Sequence, residues 1–492
     1  MDEGGEGKRQ RGEKEAKGGG MRMERSLKGG QMNARQMSGQ QVAARVANVS
    51  IVVAASLSSC LLSPWLGPVA IPTIPICCLL LLLILIRPFG SKSSTRRLSL
   101  MRGGAELLTA FLWALPIDIV LVLLRTICWG VGPVASAPAL QPLRGRGLII
   151  SLVMAAAVLA LVFWDGIIRI YLTSIQLGIR WRVLGIVAGW IFPVNLFVLT
   201  RMVAVVADEE EQERERLELD QVRASSQICH TRYPLLLVHG IFFRDFKRVN
   251  YWGRIPQSLM KNGAVIYYGQ QQSAASVEEC GKELAERIDQ ILTETGVEKV
   301  NIIAHSKGGL DARAAISHWG MADKVASLTT INTPHRGCIF AEQLLTTIPE
   351  KTRLAVAARY NFVAGKVGDW KPDFLAGVTD LTASACREFN DQTPNMPGVL
   401  YESVGSYCRK AQSGRFPLNM TYPLVKHMDG LNDGLVSVDS APWGSSFRLI
   451  EPRTNRGISH GDMIDLNREN IPGFDVREFY VGLVSSLKKR GY

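Results

Sequence analysis

VNIIAHSKGGLDARAAISHW (300–319) decides how the second half of the chain folds. Val300 to His305 is a short run rich in apolar residues, the pattern of a strand buried on both faces of a parallel sheet. It leads straight into Ser306-Lys307-Gly308-Gly309, and Leu310 to Trp319 then has helical spacing. A sharp strand-to-helix turn with a serine at its apex is a nucleophile elbow. Small residues flank such a serine because the turn brings backbone close to its neighbours. Ala304 stands where the first glycine of G-x-S-x-G usually falls.

Upstream, PLLLVHG (234–240), AVIYYG (264–269) and the 300–305 run read as three strands. Between them, YWGRIPQSLMKNG (251–263) and SVEECGKELAERIDQILTETG (276–296) have helical spacing, and each ends in glycine. Val277, Leu284, Ile288 and Leu292 fall on one face of the second helix. This alternation predicts an α/β domain, a mostly parallel sheet flanked by helices. With the elbow on its third strand, the domain reads as an α/β-hydrolase fold. A tetrahedral intermediate needs hydrogen-bond donors aimed at its oxyanion. The amide after the serine, Lys307 N–H, is one candidate, and Ile241 N–H, just past His239-Gly240, is the other. His239 is expected to shape that loop.

Chain order in this fold runs serine, then acid, then histidine. Of histidines 230, 239, 305, 318, 335, 427 and 460, the last is the best base, in a loop after the probable strand FRLIEP (447–452). NDGLVSVDS (432–440) offers Asp433 and Asp439 as acids, with Asp429 just upstream. Asp433 leads into an apolar segment, although Asn-Asp-Gly is also an ordinary turn.

From about residue 233 onward the chain resembles the bacterial secreted true lipases, members of the α/β-hydrolase superfamily. LVHGI, YWGRIPQSLMKNGAVIYY, VNIIAHSKGG, TPHRG, REFN (387–390), NDGLV and SHGDMID carry the likeness, in family order. The resemblance raises Asp433 above its rivals and implies a triad of Ser306, Asp433 and His460. It implies a lid at roughly 340–385. It also matches Asp462 to one ligand of a structural calcium, with no counterpart for the second aspartate, so no cofactor is expected to be required. Nine cysteines without C-x-x-C pairs or histidine spacing argue against zinc.

The first half is of another kind. Residues 1–45 read as a disordered basic tail, 46–206 as a membrane region of four to five helices, 207–230 as a charged linker, and 231–492 as the catalytic domain. Apolar runs cover about 46–66, 69–86, 106–124, 148–171 and 183–206. The net charge of +12 gathers in the tail (Lys8, Arg9, Arg11, Lys14, Lys17) and after the second run (Arg87, Lys92, Arg96, Arg97, Arg102). That distribution orients a membrane protein and gives no basic stripe for nucleic acid. With five spans the basic segments lie inside, and the catalytic domain is expected outside the cytoplasm at the plasma membrane. Asp118, Arg125 and Asp165 lie in or near spans and are read as residues reaching the interface.

The residues therefore point to a membrane-anchored hydrolase of lipid carboxylic esters, acting through an acyl-enzyme on Ser306. The alternatives are acyl transfer by the same triad and an inactive hydrolase fold serving as a membrane scaffold or receptor. Nothing in the sequence sets an oligomeric state.

Overall fold

The structure is a computed structural model that describes residues 39–61, 70–93, 95–130, 146–241, 250–366 and 368–492. Its contacts divide the chain into two units, Met1–Arg214 and Glu215–Tyr492. Most of the expected tail, residues 1–38, lies outside the described residues, but Gly39 to Arg45 already belongs to a helix.

Unit 1 is helical: α1 (Gly39–Leu61), α2 (Ala70–Ile86), α3 (Arg96–Gly130), α4 (Arg146–Thr173), α5 (Gly178–Ala188) and α6 (Val194–Arg223). Among the described residues three helices are long and apolar enough to cross a membrane, within α1, α3 and α4, and Pro75–Ile86 is a shorter apolar helix. α3 and α4 approach closely because Gly104 and Gly166 carry no Cβ; one built on Gly104 would stand 2.8 Å from Arg169 Cβ.

The fifth apolar run departs from expectation. It is interrupted between α5 and α6 at Gly189–Pro193, where proline supplies no N–H. α5 is about 16 Å long, roughly half the thickness of a hydrocarbon core. Polar contacts show where its ends lie. Arg97 bonds the Thr173 carbonyl at 3.0 Å and the Glu209 carboxylate at 2.6 Å. Glu209 also accepts from Ser174 Oγ, Ile175 N and Gln176 N, and Arg102 pairs with Glu210 at 3.5 Å. Arg45 pairs with Glu106, and Asn48 bonds both backbone groups of Phe89. The starts of α1 and α3, the ends of α2 and α4, and residues 209–210 of α6 therefore share one end of the bundle. The charged linker, expected as a solvated helical spacer, is helical to Arg223, but Glu209 and Glu210 in it are buried.

Unit 2 contains β1 (Leu235–Val238), α7 (Ile255–Lys261), β2 (Ile266–Tyr268), α8 (Val277–Thr295), β3 (Val300–His305), α9 (Gly308–Ser317) and β4 (Val325–Ile331). There follow α10 (Ile339–Thr347), α11 (Glu350–Lys366), α12 (Phe374–Thr379), α13 (Ala383–Gln392), β5 (Leu400–Ser406), α14 (Leu418–Asp429), β6 (Ser446–Ile450) and α15 (Val476–Lys489). The six strands pair in parallel in the order β2-β1-β3-β4-β5-β6. This is the α/β-hydrolase architecture that the alternation predicts, with α10 to α12 inserted where the lid is expected.

Strand periodicity builds two cores. Leu235, Leu237 and Ile303 pack with Trp252, Leu259, Tyr480 and Val484 on one face. Leu236, Val238, Ile302 and Ala304 pack with Leu284, Ile288, Ala312 and Ile316 on the other. α8 is bounded as its sequence predicts, with Ser276 accepting from Glu279 N and Gly296 at φ 69° closing it. The strand order reverses between β1 and β3, and ligand crevices in open α/β sheets form at the carboxyl ends of such a switch point. The loops after β1 and β3 are the two that the sequence marks.

Candidate active site

Ser306 holds φ at 56°, a left-handed conformation that a residue with a Cβ rarely adopts. The turn is tied down at both backbone groups. Ser306 N donates to the Ile331 carbonyl at 3.0 Å, and the Ser306 carbonyl accepts from Thr333 Oγ1 at 2.8 Å. Glycine is required around it by close approach. A Cβ on Gly240 would stand 2.7 Å from Ser306 Cβ, and one on Gly308 would overlap the His239 carbonyl oxygen. The loop after β1 is thus pressed against the elbow.

The structure brings Asp433 and His460 together. His460 Nδ1 lies 2.7 Å from Asp433 Oδ2, and His460 N donates to the Asp433 carbonyl at 2.9 Å. Asp433 is 1% exposed, and its carboxylate accepts four hydrogen bonds. Leu435 N and Val436 N reach Oδ1 at 2.9 and 2.8 Å; Asn332 Nδ2 reaches Oδ2 at 2.6 Å, beside His460. An ionised carboxylate only accepts, so the proton of neutral His460 sits on Nδ1 and Nε2 keeps its lone pair. Ser306 is joined to this pair through the backbone: its amide bonds Ile331, and the next residue, Asn332, holds Asp433. Among the described residues Ser306 Oγ makes no hydrogen bond, so the serine–histidine contact is the one not closed; catalytic bonds of this kind often tighten only with substrate.

Ile241 N and Lys307 N, the two expected oxyanion donors, have no acceptor among the described residues. They stand on the two loops that Gly240 and Gly308 press together. The Lys307 side chain points elsewhere, into a buried ion pair with Asp311 at 2.6 Å. Burial pulls its ammonium down, but the adjacent Asp311 more than offsets this and holds it above the usual lysine range. The pair ties the first turn of α9 internally.

Sequence reasoning missed the residues that lock these loops. Tyr251 Oη accepts from Gly240 N at 3.1 Å and lies 2.7 Å from His305 Nδ1, a hydrogen bond that joins the loop after β1 to the end of β3. Burial, and then the neighbouring His460, push the His305 imidazolium well below the usual histidine range. The His305 ring packs against His460 with centroids 4.4 Å apart. Asn332 and Tyr251 had no local signal, since each matters only through partners far away in the chain. His239 lies between the Gly240 and Gln271 carbonyls, a place that shapes its loop. His335 is buried against Trp443 and Thr330, and His318 pairs with Glu278. Asp429 accepts from Ile339 N and Phe340 N at the start of α10, away from the histidine.

Asp462, matched by the resemblance to a calcium ligand, is held by protein groups in this structure. Its carboxylate meets the Arg456 guanidinium at 2.6 and 3.1 Å and accepts from Ser459 N at 2.8 Å. Among the described residues no group of three His, Cys, Asp or Glu side chains could hold a metal ion.

The family profile of the palmitoyl protein thioesterases matches residues 234–369. A triacylglycerol lipase of Vibrio cholerae is 35% identical over 244 residues, 44% of this chain and 76% of that protein. One of Pseudomonas fragi is 32% identical over 299 residues, 53% of this chain and 98% of that protein. Among solved structures, the Staphylococcus hyicus lipase aligns with a TM-score of 0.41 at 18% identity, covering 53% of this chain and 98% of its own.

Proposed function

The chain belongs to the triacylglycerol lipase family and so to the lipid ester hydrolases, and we propose that it works through an acyl-enzyme on Ser306. The observation that carries this reading is the Asp433–His460 bond, built beside a serine held in a left-handed turn. His460 Nε2 takes the Ser306 proton as Oγ attacks the ester carbonyl. Ile241 N–H and Lys307 N–H receive the oxyanion. The proton passes to the leaving alkoxide as the C–O bond breaks and the acyl group stays on Oγ. Water, deprotonated by the same histidine, then releases the fatty acid.

A fluorophosphonate probe should label the detergent-solubilised wild type and not Ser306→Ala. A folded wild type that stays unlabelled would remove the serine mechanism. The thioesterase profile supports a second reading, with a palmitoyl thioester as the scissile group. Clear preference for a thioester over its matched oxyester would favour it; equal turnover would not, since a thioester is a readily cleaved acyl donor for any serine esterase.

We further propose that unit 1 anchors the enzyme in a bilayer by α1 to α4. The bundle end that carries Arg87, Arg97, Arg102 and Arg182 is also the end from which the chain continues past Glu210. The basic side of a membrane protein faces the cytoplasm. This supports a cytoplasmic unit 2, in place of the outer location that a fifth span over 183–206 would give. Asn419-Met420-Thr421, with Asn419 exposed, is a built-in reporter. Expressed in a eukaryotic cell, Asn419 should carry no glycan; a glycosidase-sensitive mass there would reverse the orientation.

Arg456 supports the reading that no calcium is needed, because a guanidinium already neutralises Asp462. EGTA should leave activity within about twofold of the untreated enzyme. Arg456→Ala should cost about 3 kcal/mol of stability by leaving a buried carboxylate unpaired. Calcium-dependent unfolding of the wild type would overturn this.

A further inference from the structure

A cavity of about 630 Å³ lies among α1, α3, α4, α5 and α6, all within unit 1. That is the size of a pocket for one lipid-sized ligand. Its walls are hydrocarbon and aromatic: Leu57, Leu115, Leu159, Phe163 and Leu199 among them. Among the described residues no lysine or arginine lines it.

Tyr171 and Asn195 also line it, with the Tyr171 hydroxyl on the Arg182 carbonyl and the Asn195 amide on Gly189 O and Leu196 N; Asp118 is its one acidic group among the described residues. It lines the cavity, is 4% exposed, and among the described residues neither of its carboxylate oxygens has a hydrogen-bond partner. The Ser56 hydroxyl beside it has a single proton, and that proton goes to the Val53 carbonyl at 3.0 Å. A buried polar group without a partner is costly, and more so among membrane helices. The sequence reading had placed Asp118 at the interface, as a side chain reaching for water; its burial removes that explanation. What the Asp118 carboxylate lacks among the described residues is a donor, and its mostly apolar surroundings call for a donor carried on a hydrocarbon chain.

We propose that this cavity binds a long-chain lipid with a free hydroxyl, of the partial-glyceride class, whose hydroxyl donates to Asp118 while its chain lies against Leu115, Leu159 and Phe163. The inference rests on the ester-hydrolase and membrane-anchor reading for the source of the ligand. Each ester cleaved from a glyceride frees one hydroxyl on a molecule that stays in the bilayer around the helices. The cavity thus gives the chain a second lipid site, separate in residues from Ser306 and suited to the product of its chemistry.

The test uses the full chain carrying Ser306→Ala, so that no ligand is consumed, in phosphatidylcholine nanodiscs. The probe is a monoacylglycerol with a photoactivatable group in its acyl chain, and cross-links are mapped by mass spectrometry. Labelling is expected within 111–123 and 152–167, and should fall about tenfold or more when Asp118→Leu is added, the loss for a hydrogen bond to a charged group. A probe with both hydroxyls methylated should label the unaltered cavity no better than the glyceride labels the Asp118→Leu protein; this arm needs no variant to fold. Ala160→Trp, which fills the cavity from α4, should abolish labelling. In a chain with Ser306 intact, the same filling should leave fluorophosphonate labelling unchanged. Equal labelling by the methylated probe would overturn the proposal, as would preference for a long-chain amine over the glyceride. Fluorophosphonate labelling without glyceride cross-links would sink this site and leave the hydrolase reading standing; cross-links without fluorophosphonate labelling would do the reverse to the mechanism.

Discussion

Ser306→Ala, His460→Ala and the double variant should all fall to one floor, about 10⁶-fold below wild type in kcat on a soluble p-nitrophenyl ester. In the proposed mechanism serine and histidine act as a single unit. Without His460, Oγ keeps its proton and is a poor nucleophile. Without Ser306, the proton acceptor has nothing to activate. Removing the second member of such a pair costs little more than removing the first, so the losses should not add. What remains comes from substrate binding and the two oxyanion amides, which neither change touches. Alanine keeps a Cβ at the left-handed position, so the thermal midpoint of Ser306→Ala should stay within a few degrees of wild type. Two single losses that multiply in the double variant would mean that the residues work independently. A Ser306→Ala enzyme retaining a hundredth of its activity would point to another nucleophile.

The parts of this arrangement that were legible in the sequence are those fixed by local pattern. Val300 to His305 announces its strand because both faces of β3 are buried, and the next residues announce their turn because only glycine fits against His239 and Thr333. His460 could be found because it is the late histidine in a loop after a strand. The missing pieces are those created by distant contacts. Tyr251 becomes a bridge only when Gly240 and His305 fold around it. Asn332 matters because Asp433, 101 positions later, returns to it. Asp462 showed in the sequence as a possible metal ligand, while Arg456, the cation that meets it, carried no motif. In unit 1, averaging hydrophobicity over 183–206 hid a backbone break, since glycine and proline in an apolar window barely change the mean. Glu209 and Glu210 read as solvated because their arginine partners lie more than a hundred residues upstream.

Asp433→Asn should lower kcat by about 10⁴-fold with the fold intact. The size follows from which way the new amide must point. Leu435 N–H and Val436 N–H both donate to Oδ1, so the amide oxygen has to take that side; the reverse orientation would set an NH₂ against two buried donors. The NH₂ then occupies the Oδ2 position, 2.7 Å from His460 Nδ1 and 2.6 Å from Asn332 Nδ2. Facing a donor, Nδ1 becomes the acceptor, and the imidazole proton moves to Nε2. The base that should receive the serine proton is then already protonated, while the ring stays in place and KM changes by no more than a few-fold. Fluorophosphonate labelling should slow in parallel, because it needs the same deprotonated Nε2. Ser306→Ala removes the nucleophile, whereas Asp433→Asn keeps the imidazole in place and moves its proton, once the Asn332 amide turns so that Oδ1, without a partner among the described residues, accepts from the new NH₂. A loss below tenfold would therefore show that His460 is oriented by something other than Asp433. Asp429 is poorly placed to take over, since its carboxylate already accepts the first amides of α10.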